Sequence, residues 1–113
     1  ITLLENWLVS IGTAFNSMYI STKIKNVDAL AKWDVSKGTT LSQTFFGCSE
    51  LTSIEGLRNW NVSNVTNLYT TFTACTKMRD FSPIEEWDVS KVTNMSGTFP
   101  TTSGVIKPTW YKQ

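Results

Sequence analysis

The sequence predicts a right-handed α/β solenoid of about four coils, each of roughly 26 to 27 residues with one short parallel strand and one short helix. The tetrapeptide Trp-Asp/Asn-Val-Ser begins at the equally spaced residues Trp33, Trp60 and Trp87. Other apolar positions recur at the same interval. A fixed period between about 20 and 50 residues is typical of arrays in which each unit buries its apolar face by stacking on a neighbour. Parallel crossover connections set the expected right hand.

The repeats divide the chain into units of a single domain. A chain of 113 residues, 41% of them hydrophobic, can build one modest core and is too short for two independent ones. Trp7 precedes Trp33 by slightly less than a full repeat and begins a degenerate first unit, as expected of a terminal repeat. The predicted units are residues 7–32, 33–59, 60–86 and a truncated 87–113, with residues 1–6 as an N-terminal cap.

Spacing within a unit predicts its elements. Val65, Leu68, Phe72 and Cys75 are three, four and three residues apart, which places them on one face of a short helix. The segments that follow are too short and broken for a helix, so we expect brief strands around residues 53–55 and 79–82. The predicted structural core consists of three columns of equivalent side chains, namely Trp33, Trp60 and Trp87, Phe45, Phe72 and Phe99, and Cys48 and Cys75.

Two of these columns admit another interpretation. Exposed tryptophans can stack on sugars, but rings that recur in one column favour burial in the core. Trp110 lies past the last full repeat, and we expect it to contribute less to stability.

Cys48 and Cys75 can be considered for a disulfide. Equivalent helix positions would be about 8 to 10 Å apart, whereas bridged cysteines need Cα atoms within about 7 Å, so both are expected to be reduced and buried.

The repeat resembles that of the BspA-like surface proteins. The residues that carry the resemblance are Trp-Asn-Val-Ser-Asn-Val-Thr-Asn-Leu from Trp60 and Trp-Asp-Val-Ser-Lys-Val-Thr-Asn-Met from Trp87. It covers residues 33–99 well and residues 7–32 loosely; Gly38 and Thr102 depart from the pattern. The resemblance implies a leucine-rich-repeat-like solenoid on a cell surface, used in adhesion or recognition, and it implies no catalytic residues. Similar repeats also occur in proteins of phages and of some parasitic microbes.

The composition argues against several classes of function. The chain has no histidine and two cysteines, so we expect no enzyme activity, no cofactor and no metal site. The net charge is +1 and the basic residues are dispersed along the chain. They therefore form no continuous basic stripe that could follow the phosphate backbone of a nucleic acid. No apolar run reaches the roughly 18 residues of a transmembrane helix. Because the chain begins at Ile1, we expect it to be part of a larger protein that carries any signal or anchor.

The candidate binding surface is the exposed face of the predicted strands. If Val27, Ile54 and Phe81 point inward, their neighbours in sequence point outward in two columns. The alternative is a solvated face with no partner, or a site on the helix side at Tyr69, Thr70 and Thr73. The six candidate ligand-binding residues are Asn26, Asp28, Ser53, Glu55, Asp80 and Ser82.

The favoured function is an extracellular recognition or adhesion module that binds a protein or glycan on another cell. A second interpretation is the receptor-binding tip of a phage tail protein, which a trimerising stalk before Ile1 would favour. A third is a structural spacer that displays another domain, which many identical repeats in the parent protein would favour.

Overall fold

The structure, a computed structural model, describes Ser17 and residues 19–111. Its helices are three 3₁₀ helices of three residues each, at Asp28–Leu30, Glu55–Leu57 and Ser82–Ile84. They occupy one equivalent position in successive units. This part of the chain has no α-helix and no β-strand, so the prediction of an α/β solenoid with one strand and one helix per coil is wrong. The predicted cap and the start of the first unit, with Trp7, lie outside the described residues.

Parallel contacts between units consist of isolated β-bridges. Thr40 pairs with Asn67, and Asn67 pairs in turn with Asn94. A second set pairs Asn26 with Ser53, and Asp80 with Ile106. The first three pairs are each separated by one full repeat and the last by slightly less, so successive units stack in register. The predicted strands around residues 53–55 and 79–82 are reduced to single bridge positions, because the chain turns into a 3₁₀ helix immediately after each one.

The predicted helices are replaced by a run of tight turns. In residues 41–47 every second N–H donates to the next unit, and the intervening N–H groups of Thr44 and Phe46 donate back three residues. An α-helix would instead direct every N–H to a carbonyl four residues back. Left-handed φ angles at Gln43 (58°) and Gly47 (73°) allow this alternation. The four amides that cross to the next unit, at 2.8 to 3.0 Å, pair Leu41 with Asn67, Gln43 with Tyr69, Phe45 with Thr71, and Gly47 with Thr73.

The core is built from columns of equivalent side chains. In the phenylalanine column, the rings of Phe45 and Phe72 stack with centroids 5.6 Å apart and planes 3° apart, and those of Phe72 and Phe99 with centroids 5.8 Å apart. Tyr19 continues this column in the first unit, 5.8 Å from Phe45. The three side chains of the tryptophan column, Trp33, Trp60 and Trp87, are each 5% exposed. Stacking of units therefore buries the rings that one unit alone would leave in water.

Buried side chains also hydrogen-bond to carbonyl groups 30 residues earlier in the chain, slightly more than one repeat. The hydroxyl of Thr71 donates to the carbonyls of Leu41 and Leu68, both at 2.9 Å. Trp60 Nε1 donates to the carbonyl of Leu30 at 2.9 Å, and Trp87 Nε1 repeats the bond to Leu57. These bonds satisfy carbonyl groups that would otherwise be costly to bury. The polar atoms of the core thus hold the stack in register.

Trp110 makes the same kind of contact. Its Nε1 donates to the carbonyl of Ile84 at 3.1 Å, and its ring packs against Phe99 with centroids 5.7 Å apart. It therefore continues the tryptophan column, although it follows Trp87 by less than a full repeat. Because its side chain is only half-buried, it shields less apolar surface than Trp60 does.

Cys48 and Cys75 are free and buried. Cys48 Sγ donates to the carbonyl of Tyr19 and Cys75 Sγ to that of Phe45, each at 3.1 Å. The neighbouring Cys48 thiol and burial raise the pKa of the Cys75 thiol. The two side chains thus contact each other across adjacent units, which are spaced like bridged strands, about 4.8 Å apart, and not like packed helices. The helix spacing was therefore the wrong reason to exclude a disulfide, although the thiols are free.

Candidate functional site

Three of the six candidate ligand-binding residues form backbone turns. We call them the turn column: Asn26, Ser53 and Asp80. Each side-chain oxygen accepts a hydrogen bond from the backbone N–H two residues ahead, at 3.0, 3.3 and 2.9 Å respectively. Such turns are a common use of short polar side chains. They reverse the chain into the 3₁₀ helix that follows, so this column has a structural role that the sequence analysis did not assign to it.

The other three residues begin the 3₁₀ helices and are exposed: Asp28, Glu55 and Ser82. Asn26 and Asp80 are also exposed, and Ser53 is half-buried. Between the two columns lie Val27, Ile54 and Phe81, which are buried. The structure thus gathers all six residues on one surface, although the backbone there is bridged and turned and is not a strand. We call these six residues the polar face.

Two of the three carboxylates of the polar face have partners within the protein, and a cation offsets the charge of one of them. Glu55 forms a two-point ion pair with Arg58, Nε to Oε1 at 3.0 Å and Nη2 to Oε2 at 2.9 Å, and this hydrogen bonding lowers the pKa of Glu55. The turn bond from Ser82 lowers the pKa of Asp80. Both carboxylates therefore already have partners within the described chain. The carboxylate of Asp28 is exposed and takes no part in these turn bonds or in the ion pair.

Two further columns of side chains form the same kind of turn at other positions in each unit. Asp34, Asn61 and Asp88 each accept the N–H of the serine two residues ahead, at 3.0 Å. Thr40, Asn67 and Asn94 make the equivalent bond at 2.8 to 3.1 Å. Aspartate and asparagine alternate within a column because either oxygen can accept this hydrogen bond.

Replacing Asp34, Asp80 and Asp88 together by Asn is expected to preserve the turns. It should also make the stability of the protein less sensitive to acid. Their hydrogen bonds lower the folded-state pKa of each carboxyl. The stability they contribute is therefore present above the unfolded pKa of about 3.9 and lost as the pH falls through the lower folded value. Urea midpoints between pH 6 and pH 2 should fall less steeply for the triple variant. If the urea midpoint of the triple variant fell with pH as steeply as that of the wild type, the carboxylates would not have this role.

A cleft of about 370 Å³ opens between the third and fourth units. It contains Thr70 and Thr73, two of the residues considered for a helix-side site, whereas Tyr69 lies nearby and is 43% exposed. No motif or spacing in the sequence indicated this cleft. Its lining residues are Thr70, Thr73, Ala74, Thr76, Gly97, Phe99, Pro100, Thr101 and Thr102.

The part of the chain that the structure describes brings no three His, Cys, Asp or Glu side chains close enough to hold a metal ion. Nor do Ser17 and residues 19–111 include a helix with the length and apolar character that a membrane span requires. The polar face and the cleft are the candidate binding surfaces considered below.

Comparison with known proteins identifies a family. A search of curated proteins and a search of solved structures each gave no significant match. A family described as "Mycoplasma protein of unknown function, DUF285" matches residues 2–109. Since this match extends over nearly the whole chain, the protein belongs to the DUF285 family.

Proposed function

We propose that the protein is a non-enzymatic recognition module with BspA-like repeats, displayed on a cell surface, that binds a protein or glycan of another cell. The observation that carries the proposal is the polar face, where successive units present polar side chains at the same two positions. A surface repeated in this way suits a large partner better than a small molecule, because it offers many weak contacts and no enclosing pocket.

Rigidity of the backbone supports the same proposal. The turn column is fixed by its own hydrogen bonds, and Val27, Ile54 and Phe81 anchor each unit in the core immediately beside it. A binding surface that is already ordered loses little conformational entropy when a partner docks. Short side chains such as those of Asn26 and Ser53 add little further cost.

The chemistry of the face indicates the character of the partner. Asp28 offers an exposed carboxylate, whereas Glu55 and Arg58 together present an ion pair that a partner can extend or exchange. A partner with basic and hydrogen-bonding groups, or a glycan bridged by a cation, complements this pattern. Display on a cell surface, as part of a larger surface protein, is also part of this proposal.

Attachment to cells tests the proposal. Beads that carry the protein are to be incubated with a panel of cultured animal cells and counted by flow cytometry. We expect binding to at least one cell type, and we expect the double substitution Asp28→Lys with Glu55→Lys to reduce it at least about tenfold, because charge reversal at a matched surface is strongly unfavourable. Neither side chain makes a turn bond, so the fold should be retained.

A matched control adds the same four positive charges elsewhere, through Glu86→Lys, Ser90→Lys and Ser103→Lys, three exposed positions outside the polar face. This variant should bind as the wild type does. Equal loss in both variants would indicate a nonspecific charge effect, and wild-type protein that binds no cell would favour the spacer interpretation; either result overturns the proposal.

A further inference from the structure

The cleft between the third and fourth units lies where the ladder of backbone hydrogen bonds between these units is interrupted. Between the second and third units the last rung joins Gly47 N–H to the carbonyl of Thr73 at 2.8 Å. One unit later, the equivalent rung would join Ala74 N–H to the carbonyl of Pro100. That bond is not formed, and the last rung before the cleft runs from Phe72 to Thr98. Backbone pairing between the two units resumes where Phe81 N–H donates to the carbonyl of Ile106 at 2.8 Å, so the gap is local.

Three departures from the repeat coincide at the cleft. Gly97 stands where the earlier units have Gln43 and Thr70, so the side chain that would narrow the opening is missing. A Cβ atom at Gly97 would lie 3.2 Å from Thr70 Cγ2. Pro100 restricts the backbone at the missing rung, and Thr102 replaces the cysteine of the core column with an exposed side chain. All three residues line the cleft.

The separation leaves hydrogen-bonding groups available at the cleft. Thr70 Oγ1 is buried and has no hydrogen-bond partner within the described protein. The N–H of Ala74 forms none of the backbone bonds that its position in the repeat would allow. The hydroxyl of Thr73 is already occupied, since it donates to the carbonyl of Gly97. Thr70 and Ala74 both line the cleft, so a hydroxyl group and a backbone donor without protein partners lie beside the same opening.

The rest of the lining is uncharged and largely apolar. Phe99 and Pro100 supply a buried apolar wall, and the threonines add methyl groups beside their hydroxyls. None of the nine lining residues is ionisable. A volume of about 370 Å³ is at the small end of the range for ligand pockets, roughly 300 to 1,000 Å³. The complement of such a cleft is a small neutral ring with both C–H surface and hydroxyl groups.

We propose that this cleft binds one sugar residue of an uncharged glycan. The sugar's hydroxyls would pair with Thr70 Oγ1 and with the N–H of Ala74, and its C–H groups would pack on Phe99 and Pro100. This inference deepens the proposed recognition function, on which it rests, because it names the ligand class of a second contact region beside the extended polar face.

Amide chemical shifts of the ¹⁵N-labelled protein test the proposal. The probes are methyl glycosides of glucose, galactose, mannose, fucose, N-acetylglucosamine and N-acetylgalactosamine, each titrated to about 50 mM because single-sugar contacts are weak. We expect at least one of them to shift the amides of Thr70, Ala74 and Gly97 with a saturating curve. No shift with any probe, or shifts that map outside the cleft, would overturn the assignment.

Two variants separate a specific site from a nonspecific one. Thr70→Val removes the unpartnered hydroxyl at nearly constant shape and should weaken binding at least about tenfold. Gly97→Asn places a side chain in the opening while tolerating the left-handed φ of 64°, and should abolish binding. Thr66→Val removes an exposed threonine hydroxyl outside the cleft and should leave it unchanged. Amide spectra with dispersion like that of the wild type establish that each variant is folded, and equal affinity in all three would refute the cleft as the site.

The outcome for this site can be distinguished from that for the recognition function. If Gly97→Asn abolishes the sugar shifts while beads still attach to cells, both proposals stand and the polar face suffices for attachment. If no sugar binds but attachment is sensitive to Asp28 and Glu55, the cleft proposal alone fails. If sugars bind in the cleft and no cell is recognised, the proposed cell-surface function fails and the sugar site stands.

Discussion

Replacing Trp60 by Ala is expected to lower the free energy of unfolding by about 3 to 5 kcal/mol, the usual range for truncating a large buried aromatic side chain. Trp60 is 5% exposed, and its Nε1 satisfies the carbonyl of Leu30, which would be left buried and without this donor. Such a loss is a large fraction of the roughly 5 to 15 kcal/mol that stabilises a typical domain. Urea unfolding followed by tryptophan fluorescence measures it.

Trp110→Ala is the comparison for this variant. Trp110 makes the equivalent bond to Ile84, but it is half-buried and lies in the last unit, so its loss should cost less than that of Trp60. Trp60→Phe retains a six-membered aromatic ring but removes the pyrrole part of the indole together with its Nε1 donor, and we expect an intermediate cost. Equal losses for Trp60→Ala and Trp110→Ala would show that the tryptophan column is not the continuous core described above.

Replacing Phe72 by Ala is expected to have a similar effect, about 3 to 5 kcal/mol. Phe72 is completely buried and lies at the centre of the phenylalanine column, where it also contacts Phe81 with ring centroids 5.2 Å apart. Its removal leaves a cavity between units whose spacing is fixed by hydrogen bonds and which therefore cannot close around it. Calorimetry should give a markedly lower melting temperature.

Phe46 provides a matched control. It lies in the second unit, directly after Phe45, which is the equivalent of Phe72 there. It is half-buried and does not belong to the column, so Phe46→Ala should cost clearly less than Phe72→Ala. If the two substitutions lowered the melting temperature by the same amount, the column would not be the main source of stability.

The repeat was visible in the sequence because equivalent side chains have to meet. Trp33, Trp60 and Trp87 recur at a constant interval, and the structure stacks units at that interval. A column of apolar side chains requires only that successive units return to the same place. It does not depend on whether the backbone between those points is helical, extended or turned, so spacing between repeats was more informative than spacing within them.

Spacing within a unit was misleading for this reason. Intervals of three and four residues, such as those from Val65 to Cys75, suit an α-helix, but they also suit successive turns that bond three residues back. The two backbones differ at Gln43, Thr70 and Ala74, where φ is positive in residues other than glycine. Such residues adopt this conformation only a few per cent of the time, and no side-chain pattern signalled it.

The two candidate surfaces differ in how far the sequence predicted them. Alternation around Ile54 predicted that Ser53 and Glu55 point outward, and in the structure Glu55 is exposed and Ser53 half-buried. The bond that Ser53 accepts from the N–H of Glu55 depends on local turn geometry, which alternation does not describe. The cleft was not predicted because it arises where the fourth unit departs from the repeat. Thr102 was noted as the end of the cysteine column, whereas Gly97 and Pro100 acquire meaning only once the missing rung between their units is known.

The stacking of units by hydrogen bonds that cross between them also determines how the chain should respond to force. Pulling its ends apart would load these bonds unit by unit, starting from an exposed end, because each unit is held mainly by its neighbours. Releasing one unit adds roughly 90 Å of extended chain, at about 3.3 to 3.6 Å per residue. Under fluid drag, such an array lengthens in steps and dissipates energy at each one, so it would behave as an extensible tether.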